Sequence, residues 1–466
     1  MSGSDERPLS VGQQALWLLY RLAPESPAYN VVLAMRIRGP LDTERLARAV
    51  AGLADRHPVL TEGFHEVDGV PVRTPGRAGA PRLVVREVPV ADLFEAACAE
   101  SVVPFRLDLE PPMRAVLLRR AADDAALVLV THHLVSDATA QWLIARDLLE
   151  AYAGAPARPA TSAFDEVVAA ERRLLDSPRR EVLERYWRGV VTGVPAAKLP
   201  ADHLADGLAG LPKGSSTTVW FDPDLAVSVE AAARRAGVTP FAFLTGAFQA
   251  MLHRHTGESD FLIGCPVTTR LRGGLREVVG YLANSVVLRA TFDRTTTLRA
   301  TIKAAQRSVV TANAHADLPF STLTELVAPR PPLFTIAITM LVADRLEPPL
   351  PMVTPDAVEG REITYGGLRL ALLDVPQMEG QFDLLVELRQ SADGLSAVLK
   401  YDAGQFERST IERVAAAFTR FVRLAVEDLD AVVADLSLVD ASDLTLLLAM
   451  GGSTHPAMGT GVGDRA

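Results

Sequence analysis

Thr131-His132-His133-Leu134-Val135-Ser136-Asp137-Ala138 stands where the apolar run from Ala126 to Val130 stops. The run is so continuously apolar that it predicts a strand buried on both faces. Asp137 is of a type that caps helices, so the chain is expected to pass here from buried strand into helix. Side chains at such strand ends and helix starts face the crevices where open α/β folds place ligands. A histidine has an unperturbed pKa of about 6.5, so its neutral imidazole accepts a proton from an attacking amine or hydroxyl around pH 7. Asp137 is suited to fixing the local backbone through an arginine or main-chain N–H groups. The same residues also fit a hydrogen-bonded structural corner, and the string alone leaves both readings open.

Outward from this point, Ser10-Val11-Gly12-Gln13 has the S-x-x-Q form of a capping box and predicts a first helix over about 10–22. Val31–Ile37 reads as a strand, and Asp42 caps a helix running through Leu46, Val50 and Leu53. Strand-like segments are expected at 59–67, 70–73, 83–88 and 114–119, with a helix near 91–101. A charged helical stretch, 164–191, leads into the Gly- and Pro-bearing segment 193–214, the expected linker. Beyond it the mixed pattern returns: strands at 217–221, 260–267, 334–341, 382–388 and 396–401, helices at 223–236, 240–255 and 409–429.

The chain has 466 residues, and a prior of about 150 residues per domain suggests three domains. The coarse repetition replaces that prior with two α/β lobes, residues 1–178 and 179–450, followed by a flexible tail at 451–466. A net charge of −10, with 22% charged residues and no apolar run long enough to span a bilayer, excludes a membrane span and a mostly disordered chain. It also argues against nucleic acid, which needs a clustered positive footprint. Cys98 and Cys265 belong to no C-x-x-C or Cys/His spacing, so neither a disulfide framework nor a metal site is indicated. His253 and His255 read as a solvated helix end and His57 as a structural residue at a helix end. The polar start carries no secretory signal, which makes a cytoplasmic setting the default.

The string from His132 to Asp137 resembles the H-H-x-x-x-D-G signature of the condensation domains of nonribosomal peptide synthetases, relatives of chloramphenicol acetyltransferase. Further segments follow in the family's order across nearly the whole chain. LSVGQQALWLL, Leu9 to Leu19, is similar to the family's opening S-x-x-Q-x-x-L-W-x-L, and RHPVL, Arg56 to Leu60, with Phe64, to R-H-x-x-L-R-T-x-F. Phe164-Asp165 resembles part of the Y-x-D-F segment. HTGESDFLIGCPV, His255 to Val267, with Arg270, is similar to the strand bearing G-x-P-V-x-x-R. VGYLANS, Val279 to Ser285, through Arg289, resembles the G-Y-F-V-N-T/P segment, HADLPF from His315 resembles H-Q-D-x-P-F, and Pro332-Leu-Phe334 the next one.

The resemblance implies two acetyltransferase-like lobes arranged as a V-shaped pseudodimer, with a tunnel at their interface. A carrier protein would bring an acyl or aminoacyl thioester on its phosphopantetheine arm from one side, and the acceptor, a small molecule or a second carrier-bound group, would enter from the other. No cofactor of the chain's own is implied. His133 would be the general base or a group that positions the nucleophile; His132 and Asp137 would be structural, with Asp137 ion-paired to Arg270. Amide N–H groups at the start of the helix after Asp137 would help polarise the carbonyl.

Ala138 stands where the family keeps glycine, adding a methyl at the tunnel wall, and Asn284 and Ser285 would line the tunnel or form a turn. Thr61-Glu62 replaces R-T and Leu282-Ala283 replaces F-V, departures that bear on donor or acceptor identity. Because no carrier-like serine segment or nucleotide-binding loop is seen, the chain is expected to be a free-standing condensation enzyme of natural-product biosynthesis. The alternatives are an acyltransferase of the same fold using coenzyme A, and a degenerate condensation-like domain that recruits partner enzymes.

Overall fold

The computed structural model describes residues 5–88, 92–156, 158–159, 164–203, 214–270, 274–327, 332–342, 362–376, 382–391 and 394–438. The tail at 451–466 and residues 204–213 of the expected linker lie outside them. The first half runs β1 (Arg7–Pro8), α1 (Val11–Leu22), β2 (Asn30–Arg38), α2 (Thr43–Arg56), β3 (Gly63–Val67), β4 (Val70–Thr74), β5 (Leu83–Glu87), α3 (Leu93–Ser101), β6 (Met113–Ala121), β7 (Asp124–His132), α4 (Ala138–Ala153), α5 (Phe164–Leu175) and α6 (Arg179–Val191). The second continues with β8 (Gly214–Trp220), α7 (Pro223–Ala236), α8 (Pro240–Thr256), β9 (Asp260–Thr268), β10 (Ala283–Thr291), α9 (Leu298–Ala314), α10 (Phe320–Glu325), β11 (Ile336–Val342), β12 (Ile363–Tyr365), β13 (Leu368–Leu373), β14 (Leu384–Ser391), β15 (Gly394–Asp402) and α11 (Arg408–Glu427).

Two six-stranded sheets organise the chain, one ordered β12-β13-β2-β7-β6-β5 and the other β10-β9-β11-β14-β15-β8. Each carries its own core and helices, a mixed α/β architecture of two lobes. β7 is central in the first sheet and buried from Ala125 to His132, as its unbroken apolar run requires. In the second lobe α8 packs against α9 so closely that a Cβ on Gly246 would come within 2.7 Å of the Ile302 backbone. Phe418 of α11 packs edge-on to Phe221 and Phe248, closing that core.

The local signals place most helix ends. Ser10 Oγ accepts from Gln13 N (3.1 Å) while Gln13 Oε1 accepts from Ser10 N (3.0 Å), the reciprocal capping box. Asp42, Asp137 and Asp222 cap α2, α4 and α7 one way only, each side chain accepting from a backbone N–H of the first turn. Several expectations are corrected. Residues 58–61 form a short 3-10 turn led by Pro58, and β3 begins only at Gly63. The stretch 164–191 is two helices parted around Pro178, whose ring removes a backbone donor.

The expected division at 178/179 is crossed by the chain itself. β13 leaves the second half to pair antiparallel with β2, Leu370 opposite Ile37, and Val278, Val279 and Leu282 sit in the first lobe's core. The strands β10, β12 and β13 and the helices α9 and α10 add to the expected elements of the second half.

Candidate active site

The turn after β7 is held from three sides. His133 N donates to Tyr29 O (2.8 Å), Val135 N to His132 O (3.0 Å), and Gln13 Nε2, reaching from the capping box of α1, to Leu134 O (2.8 Å). The opening S-x-x-Q segment therefore shapes the motif turn directly, a link invisible in the sequence because its members lie on different elements.

Within this turn the two histidines face different surroundings. His132 is buried, its Nδ1 accepts from Leu134 N (3.1 Å), and the rings of Tyr20 and Phe105 stand edge-on to it at 5.8 and 5.9 Å. Burial, reinforced by His133 and Arg114, pushes its pKa down to about 3, so it is a neutral structural corner. A depression of about 320 Å³ is lined in part by the same Tyr20, Phe105 and Arg114, and neither histidine lines it.

His133 is only half-buried, and its Nδ1 lies 2.6 Å from Ser136 O. A carbonyl oxygen only accepts, so Nδ1 carries a proton, and in the neutral ring Nε2 holds the lone pair. That tautomer is the one a general base needs. Tyr281 stands edge-on to the imidazole, centroids 5.1 Å apart.

Asp137 is consumed structurally. Its Oδ1 caps α4 through Ala140 N (2.9 Å), and its Oδ2 accepts from Leu282 N (3.0 Å) and from Arg270 Nη1. Arg270, equally buried, also donates through Nη2 to Val278 O (3.1 Å) and Gly280 O (3.0 Å). The pair thus pins the segment 278–282 against the head of α4. A second clamp, not anticipated, lies further along α4: Glu277 accepts from Arg146 Nη1 (3.1 Å) and from Arg56 Nη2 (3.2 Å). Asp147 accepts from Arg146 Nε (2.9 Å) and from His57 Nε2 (2.7 Å), where burial lowers the His57 pKa against the pull of Asp147.

The remaining sequence candidates fall outside the reacting group. Asn284 uses its amide to donate to Ala316 O (2.9 Å) and Leu318 O (2.8 Å) and its carbonyl to accept from Phe320 N (2.9 Å), so it brackets the 316–320 turn, the second of its two readings. Ser285 sits opposite Pro266 in the β9–β10 ladder, half-buried. Ala138 opens α4 with its methyl exposed and no left-handed backbone, so nothing in its conformation requires the family's glycine. Glu62 is spent in a buried pair with Arg73 (2.5 Å), and Thr61 Oγ1 donates to Pro58 O (2.8 Å), so both serve local structure. The N–H groups of Ala138 and Thr139 find no acceptor among the described residues, leaving two donors at the start of α4.

Among the described residues no group of three or more His, Cys, Asp or Glu side chains could hold a metal ion, and no helix is long and apolar enough to cross a membrane. Cys98 and Cys265 are free, and burial pushes the Cys265 thiol up to about 12.

Comparison with known proteins agrees with this arrangement. A family model described as "Condensation domain" matches residues 4–448. The phosphinothricin tripeptide synthetase PhsC of Streptomyces viridochromogenes is 31% identical over 448 residues, covering 90% of this chain and 39% of PhsC. Malpinin synthetase of Mortierella alpina is 27% identical over 465 residues, 96% of this chain but only 6% of that synthetase. The chain thus spans a small part of these relatives. Among solved structures, SgcC5 from Streptomyces globisporus, in complex with (R)-(-)-1-(2-naphthyl)-1,2-ethanediol and sucrose, superposes with a TM-score of 0.75 at 25% identity, covering 91% of this chain and 99% of SgcC5. The X-domain of teicoplanin biosynthesis, in complex with OxyB, gives a TM-score of 0.80 at 22% identity over 94% of this chain and 97% of that one.

Proposed function

Because the chain belongs to the condensation domain family of nonribosomal peptide synthesis, we propose that it is a free-standing enzyme that moves an acyl or aminoacyl group from a carrier-protein phosphopantetheine thioester to an amine or alcohol.

In the reaction the acceptor's N–H or O–H proton passes to His133 Nε2 as the nitrogen or oxygen adds to the thioester carbon. The C–S bond then breaks, the thiolate leaves on the pantetheine arm, and the imidazolium gives up its proton to the thiolate or to water. Because a thiolate leaves readily, the chain's own tasks are orientation and stabilisation of the developing oxyanion. The free N–H groups of Ala138 and Thr139, at the positive end of α4, favour that charge. An alcohol acceptor depends on the base more than an amine does, since a hydroxyl holds its proton far more tightly. The diol bound to SgcC5, a chain matched over 99% of its length, supports an alcohol acceptor and a free-standing enzyme.

The test is product mass spectrometry with acyl carrier proteins and acyl-coenzyme A supplied separately against a panel of amines and alcohols. Product from carrier thioesters, with His133→Ala folded and slowed at least ~10²-fold, is the expected outcome. Turnover with coenzyme A thioesters alone would replace the donor assignment. Unchanged turnover by His133→Ala would remove the histidine from the chemistry.

A further inference from the structure

We propose that Tyr281 donates a hydrogen bond to the reacting carbonyl oxygen, a role that rests on the acyl-transfer reading above. The Tyr281 ring stands at 86° to the His133 imidazole with centroids 5.1 Å apart. It is seated in a notch: at Gly12 of α1 an added Cβ would come within 2.6 Å of Tyr281 Cε1. Both chain neighbours are tied to the ion pair at the head of α4, Gly280 O by Arg270 Nη2 (3.0 Å) and Leu282 N by Asp137 Oδ2 (3.0 Å). Backbone and ring are therefore fixed beside the base.

The hydroxyl is the part that packing does not explain. A tyrosine whose ring is largely buried ordinarily finds a partner for its O–H. That of Tyr281 makes no hydrogen bond to a described residue, and it is not among the completely sealed polar atoms, so its donor is left uncommitted. Burial, with Asp137 nearby, raises the phenol above its ordinary pKa, so the group stays protonated and donates.

The chemistry calls for a donor at this place. As the acceptor loses its proton to His133 Nε2 and the C–N or C–O bond forms, negative charge gathers on the former carbonyl oxygen, and it is relieved when the C–S bond breaks. That oxygen lies a few ångströms from an atom within hydrogen-bond reach of Nε2, a distance comparable to the spacing of the two rings. A preorganised donor at an oxyanion is worth about 10²-fold or more in kcat.

Tyr281→Phe keeps the ring against His133 and removes only the hydroxyl. With a carrier-bound acyl donor and the best acceptor, kcat is expected to fall about 10²-fold while Tm and the pH dependence of kcat stay those of the wild type. Gly12→Ala, which displaces the ring without touching its chemistry, is expected to lower kcat as well. Wild-type kcat in Tyr281→Phe would overturn the proposal and leave the ring a packing role. A fall in kcat accompanied by a shifted pH profile would overturn it too, by placing the effect on the proton affinity of His133. A wild-type protein inert with every thioester would remove the acyl-transfer reading and this role with it.

Discussion

Arg270 donates from Nη1 to Oδ2 of Asp137 across 133 residues of sequence, and both partners are almost completely buried. The pair joins the head of α4, in the first lobe, to the segment following β9, in the second. Both oxygens of Asp137 accept further bonds, Oδ1 from Ala140 N and Oδ2 from Leu282 N.

Breaking that pair is expected to cost stability first. Asp137→Asn removes the charge that compensates a buried guanidinium, and a loss of about 3–5 kcal/mol is expected in urea unfolding. The double variant Asp137→Asn with Arg270→Met removes the stranded charge and is expected to recover part of the loss. A double variant no more stable than the single one would mean that the two groups do not act as a pair.

His132 gives a pH signature. Folded, it resists protonation down to about 3, whereas in the unfolded chain it takes the proton near the ordinary histidine value of 6.5. Between these values the unfolded state binds more protons, so stability falls as pH drops below about 6.5, by up to about 1.4 kcal/mol per unit. Glu62 works in the opposite sense: burial raises its carboxyl from 4.5 to about 7, and its contribution is lost as pH rises through that range. The informative quantity is thus the wild-type curve minus that of His132→Asn, whose amide oxygen still offers an acceptor for Leu134 N. The difference is expected to rise with pH between about 3 and 6.5, and a flat difference curve would refute the assignment.

Asn284→Ala is expected to behave as a folding variant rather than a substrate-binding one. It deletes three hydrogen bonds to the 316–320 turn and strands at least one buried partner, a cost of about 2–3 kcal/mol by thermal or chemical unfolding. KM for both substrates should stay within a few-fold of wild type. A large rise in KM with unchanged stability would put Asn284 in the tunnel after all.

Ala138→Gly restores the residue the family keeps in its signature. Because Ala138 is exposed and helical, the change is expected to cost no more than about 1 kcal/mol in helix propensity and to alter kcat by less than a few-fold. An order-of-magnitude gain in turnover would show that the methyl obstructs the site.

Much of the local architecture was legible. The capping box at Ser10 and Gln13, the aspartate caps of α2 and α4, and the unbroken apolar run of β7 each encode their element within a few residues. α9 was equally legible in principle, since Thr297 caps it and Leu298, Ile302, Ala305 and Ala312 recur at helical spacing. β12 and β13 were not, because a strand's identity depends on its partner, and β13 finds β2 at the far end of the chain.

By itself the sequence determined that a buried strand ends in two histidines at the head of an aspartate-capped helix, and the order of its motifs pointed to the family. It did not separate the roles of the two rings. That separation is tertiary: Tyr20 and Phe105 enclose His132 and hold it neutral, whereas Ser136 O fixes the His133 tautomer on a half-exposed ring. Likewise Asn284 became a turn bracket, and Gln13 and Tyr281 became neighbours of the motif only through packing between elements far apart in the chain. Propensity and capping act over a few residues and are written in the chain, but burial and hydrogen-bond partners come from distant elements, and these decide what each titratable group does.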